Sequence, residues 1–81
     1  MDIENLVRMA NDIANFFGAD PDRATAVTGV VDHLRKFWDP RMRRAIINHF
    51  QTGGEGLNEV ALAATERLAH ESAALRQTGD G

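Results

Sequence analysis

Five of the nine basic residues of this 81-residue chain fall within His33-Leu34-Arg35-Lys36-Phe37-Trp38-Asp39-Pro40-Arg41-Met42-Arg43-Arg44, which holds one acid, although the net charge of the whole is −3. A cationic, aromatic-bearing segment on an acidic chain is suited to engaging phosphates or an acidic protein surface, or simply to facing water. Arg43 sharpens the choice. At about 100° per residue it projects into the arc of Ile46, Ile47 and Phe50, where an unpaired charge is costly, so it needs an anion or an interface. Within the chain Asp32 or Asp39 could pair with it; across an interface its planar fork could anchor a partner. Trp38, between two helices, is expected to pack in the core, with a stacking platform as the minor alternative.

The other reactive side chains assemble into nothing catalytic. His33, His49 and His70 have no spacing that gathers a metal, and His70-Glu71-Ser72-Ala73-Ala74 has alanine where a zinc-protease helix needs its second histidine. Gly53-Gly54-Glu55-Gly56 lacks the lysine and hydroxyl residue of a phosphate loop, and it follows a helix instead of a strand, so a flexible connector is expected. No acid–base pair or activated nucleophile emerges. With no cysteine, thiolate zinc, iron–sulfur ligation and disulfides are closed to the chain. The acidic opening Met1-Asp2-Ile3-Glu4-Asn5 and the lack of a long apolar run point to a cytoplasmic location without a membrane span.

The elements that must position these residues are helical. Leu6, Met9, Ala10, Ile13, Phe16 and Phe17 recur at spacings of three and four, and Gly18 closes that helix. Asp20-Pro21 is expected to start a second, with Ala24, Val27, Val30, Val31, Leu34, Phe37 and Trp38 on its apolar arc. Asp39-Pro40 repeats the start signal, bending the chain into a third helix with Met42, Ala45, Ile46, Ile47 and Phe50 on one side. The glycine cluster ends it. Asn58 caps a fourth helix whose stripe is Val60, Ala61, Ala64, Leu68 and Leu75 with the preceding Leu57; a weaker strip of Leu62, Ala69 and Ala73 lies opposite. The expected fold is all-α: a small bundle of about four helices (3–18, 20–38, 39–52, 58–76), one helical domain over 1–76 and a flexible tail over 77–81. A domain this small buries only about 60% of its unfolded surface, so association with a partner fits.

The segment Arg35-Lys36-Phe37-Trp38-Asp39-Pro40-Arg41-Met42-Arg43-Arg44, the opening Ile3-Glu4-Asn5-Leu6-Val7-Arg8-Met9-Ala10-Asn11-Asp12-Ile13 and Gly53-Gly54-Glu55-Gly56-Leu57 together resemble the delta subunit of soluble NAD-dependent formate dehydrogenase. The resemblance covers roughly residues 3–68. It implies a non-catalytic accessory subunit, free of redox cofactors, in a complex that holds molybdenum or tungsten on molybdopterin guanine dinucleotide, iron–sulfur clusters and FMN on its other subunits. It further implies that the chain binds the catalytic alpha subunit and supports assembly, stability or cofactor insertion. Phe37, Trp38, Asp39, Pro40, Arg41, Met42, Arg43 and Arg44 then become the candidate docking surface, with charge reversal at Arg41 or Arg43 expected to abolish assembly without unfolding the chain. The alternatives from other classes are a small nucleic-acid-binding helical module, which the acidic net charge opposes, and a self-associating helical oligomer.

Overall fold

The computed structural model describes the backbone of residues 1–79 and the side chains of residues 1–73. Its elements are four helices, α1 (Ile3–Phe17), α2 (Arg23–Phe37), α3 (Pro40–Gln51) and α4 (Glu59–Gly79), with no strand among the described residues. The all-α expectation holds. The helix ends follow from local caps, with corrections to the expected bounds at the start of α2 and the end of α4.

α1 starts where the Asp2 carboxylate accepts from the Glu4 amide at 3.0 Å, and it stops at Gly18, whose N–H donates to the Ala14 carbonyl at 2.7 Å. Gly18 keeps a right-handed φ of −67°. Its service is room, because a Cβ there would stand 2.7 Å from the Ala14 oxygen. α2 does not begin at Asp20-Pro21 as its signal suggests. Asp20 folds back to accept from the Asp22 amide at 2.8 Å, and this turn through Pro21 hands the capping role to Asp22, which receives the Ala24 amide at 3.3 Å and the Thr25 hydroxyl at 2.6 Å. Two aspartates competed for one helix start, and the one with a hydroxyl three residues on holds it.

At the next junction the signal and the structure agree. Asp39 accepts from the Met42 amide at 2.9 Å and Pro40 takes the first helical position, where a missing N–H costs nothing. α3 ends at Thr52, followed by Gly53 and Gly54 at φ +126° and +66°. Gly54 must be glycine on two counts, since a Cβ there would also meet Leu62 Cδ2 at 2.7 Å. Asn58 caps α4 by accepting from the Ala61 amide at 2.9 Å. That helix runs to Gly79, past its expected end at 76, and residues 80 and 81 of the expected tail lie outside the described residues.

The core is built by Leu6, Ala10 and Ala14 of α1, Val30, Val31, Leu34 and Trp38 of α2 and the bend, Ile46 of α3, and Leu57, Ala61, Ala64 and Leu68 at α4. Ala14 and Ala26 are buried, while Ala24 and Phe16, placed on apolar stripes by spacing, are exposed. Small residues at 10, 14, 61 and 64 let helix axes approach closely, so α4 can cross both α1 and α2. The packing order has a consequence for function. α2 lies on α4 and α1, α3 lies on α4 and α1, and α2 and α3, though consecutive, barely touch. The bend at Trp38-Asp39 therefore throws α3 to the far side of the bundle and leaves its own outer surface open.

Candidate docking site

Trp38 is the hinge of the bend. It is 4% exposed and joins the core cluster, which leaves its backbone carbonyl as the last acceptor of α2. Arg43 meets that need: its Nη1 donates to the Trp38 carbonyl and, at 3.1 Å, to the Arg35 carbonyl. The half-buried cation thus meets the carbonyl end of the preceding helix, where the helix dipole favours positive charge, and no acid among the described residues. Both aspartates proposed for it are engaged elsewhere. Asp32 pairs with Arg35 at 3.2 Å, and the Asp39 carboxylate caps α3.

The eight residues of the segment accordingly divide. Trp38, Met42 and Arg43 build the bend, the first buried and the others half-buried. Phe37, Asp39, Pro40, Arg41 and Arg44 are exposed. Charge reversal at Arg43 would put a carboxylate against two carbonyl oxygens, so that variant tests the fold and not a docking surface.

α4 supplies a further group that spacing along the chain could not associate with the bend. Glu71 accepts from Arg35 Nε at 3.1 Å and from Arg35 Nη2, and it also faces Arg67 at 3.6 Å. The hydrogen bond to Glu71, seconded by the charges of Glu71 and Asp32 and opposed by desolvation, raises the Arg35 guanidinium above the ordinary arginine range. With Arg35 and Arg43 so occupied, Lys36, Arg41 and Arg44 make no ion pair among the described residues. Between α3 and α4 runs an open groove of about 750 Å³, lined by Arg35, Pro40, Arg43, Arg44, Ile47, Leu68, Glu71 and Ser72. Its lining mixes the three arginines with Glu71, which pairs with Arg35, and the apolar Pro40, Ile47 and Leu68.

The glycine connector is tied down by more contacts than a flexible link would have. Asn11 donates to the Gly56 carbonyl and accepts from the Asn58 amide, each at 2.9 Å, and His49 Nε2 donates to the Glu55 carbonyl at 2.7 Å. His49 is thereby a structural clamp. His33 and His70 lie elsewhere, and among the described residues no group of three or more His, Cys, Asp or Glu could hold a metal ion. The second strip of α4 is not one surface: Leu62 packs on the core and beneath Gly54, Ala69 is half-buried and only Ala73 is exposed. Among the described residues no helix is long and apolar enough to cross a membrane.

A protein-family model described as NADH-dependent formate dehydrogenase delta subunit FdsD matches residues 5–65. That span takes in α1 from Asn5 onward, the whole bend and its five cations, and the Asn11-clamped connector. No curated protein and no solved structure matches the chain.

Proposed function

Because this chain belongs to the NADH-dependent formate dehydrogenase delta-subunit family, we propose that it is a non-catalytic accessory subunit that docks on the catalytic alpha subunit. In this reading it works in the cytoplasm, supporting assembly, stability or insertion of the molybdopterin cofactor. Molybdopterin guanine dinucleotide, iron–sulfur clusters and FMN belong to the other subunits. A chain without cysteine offers a cluster none of its usual thiolate ligands.

The observation that carries the reading is the asymmetry at the bend. An acidic protein gathers Lys36, Arg41 and Arg44 there with no ion pair among the described residues, beside an exposed Phe37, while the neighbouring cations are held by the fold itself. Exposed cations beside an apolar ring suit a carboxylate-bearing protein surface, where the charges set orientation and the ring supplies buried area. The test is co-purification of the tagged chain from its native host, with metal and pterin analysis of whatever it retains. Recovery of a large iron–sulfur and molybdopterin subunit is expected, and cofactor content compared with a strain lacking this chain separates maturation from structural support. Recovery of the chain alone, or with nucleic acid, refutes the reading.

A further inference from the structure

Phe16 and Phe37 leave 75% and 71% of their surface in water. Neither ring is isolated. Phe16 meets Phe17 edge to face at 5.1 Å, Phe17 meets the His33 ring at 6.1 Å, and His33 meets Phe37 at 4.7 Å. Four rings therefore form one band across the seam of α1 and α2, seated where Phe17 lies against the bare backbone of Gly29; a Cβ at that position would strike the ring. The core closes without Phe16 and Phe37. A domain this small has little apolar surface to leave in water, and a contiguous exposed aromatic patch on it marks a contact.

Charge at one end of the band says what kind of contact. Phe37 ends α2, with Lys36 before it and Arg41 just across the bend, and neither cation has an ion-pair partner among the described residues. An apolar band ending in cations is complemented by an apolar surface with carboxylates at one edge. We infer that this aromatic band is the apolar half of the docking surface and receives a patch of the larger subunit. That patch presents aliphatic or aromatic side chains to Phe16 and Phe37, and acids to Lys36 and Arg41. The inference rests on the docking reading above and adds the face used, the α1/α2 seam; Trp38 and Met42 belong to the core packing instead.

The experiment replaces the chain in its native host by tagged versions and measures the catalytic subunit recovered per tag. The variants are the wild type, Phe16→Gln with Phe37→Gln, and Lys36→Glu. Thermal melts and sedimentation of each free chain accompany the recovery. The double variant is expected to melt like the wild type, since both rings are exposed, yet to weaken association about thirty-fold or more, as loss of two buried aromatic anchors does. Lys36→Glu should weaken it less, and most at low salt. Wild-type recovery with the double variant would overturn the band's role while leaving docking intact. Failure of the wild type itself to recover the catalytic subunit would instead overturn docking, and the band's role with it. A free wild-type dimer that the double variant converts to monomer without loss of recovery would assign the band to a second copy, against this inference.

Discussion

Replacing Arg43 with methionine should unfold this protein far more readily than replacing Arg41, two positions away in the same helix. Methionine keeps most of the aliphatic stem of Arg43 but removes the guanidinium that donates to the carbonyls of Trp38 and Arg35. A hydrogen bond from a charged donor contributes about 1.5–3 kcal/mol. The bond to Trp38 is partly buried and should deliver that amount, whereas the bond to the exposed Arg35 carbonyl can be replaced by water and adds little. A loss of about 2 kcal/mol follows. For a domain of this size it lowers Tm by about 8–16 °C. Arg41 is exposed and unpaired among the described residues, so Arg41→Met should stay within about 0.5 kcal/mol of the wild type. Urea titration followed by far-UV circular dichroism measures both, with equal m-values required so that midpoint shifts report stability. Arg43→Lys, which restores one donor without the fork, should fall between the two. Equal stability of Arg43→Met and Arg41→Met would refute the idea that Arg43 serves the fold.

Three further outcomes follow from other contacts. Gly54→Ala should cost about 1 kcal/mol or more, because its φ of +66° is strained for alanine and its Cβ would press on Leu62; Gly53→Ala has open space around it but sits at φ +126°, outside the left-handed region that alanine can adopt, so it should cost at least as much, and thermal melts compare them. Asn11→Ala should cost about 1–3 kcal/mol by releasing the Gly56 carbonyl and the Asn58 amide together, with faster amide exchange through residues 55–58 as its local signature. Glu71→Gln should cost under about 1 kcal/mol, since its pairs with Arg35 and Arg67 are largely solvent-facing, and the difference from wild type should shrink in 1 M salt.

Much of this fold is legible along the chain because the signals are local. The Asp39-Pro40 start, the Gly53-Gly54 stop, the Asn58 cap and the three-and-four spacing of Leu6, Ala10, Val30, Leu34 and Ile46 act within one or two turns, and the structure uses each of them. Where two local signals compete, the sequence does not rank them, and α2 starts at Asp22 instead of Asp20 for that reason. Stripe edges are ambiguous too. Phe16 and Phe37 sit at the margin of their arcs, and only the seating of α1 on α2 decides that their rings remain outside. Small residues such as Ala14 and Ala26 give spacing analysis little weight, yet close helix approach buries them. The fate of Arg43 was out of reach for a different reason: its partners are backbone carbonyls, which no residue type announces. Contacts between distant residues, Arg35 with Glu71 and Asn11 with Asn58, likewise appear only once the helices are packed. The candidate site was legible as a segment, but not as the two surfaces into which the bend divides it, the α3/α4 groove and the α1/α2 band.

The proposal that this chain works as a bound subunit is tested most directly by native mass spectrometry of formate dehydrogenase purified through its catalytic subunit, from strains carrying either the wild-type chain or Arg41→Glu with Arg44→Glu. Both positions are exposed, so the double reversal should fold as the wild type does. The predicted result is a complex that holds the 8.9 kDa chain in fixed proportion when it is wild type and lacks it when the two charges are reversed. A complex that never contains the chain would contradict the account, and equal incorporation of both forms would remove Arg41 and Arg44 from it.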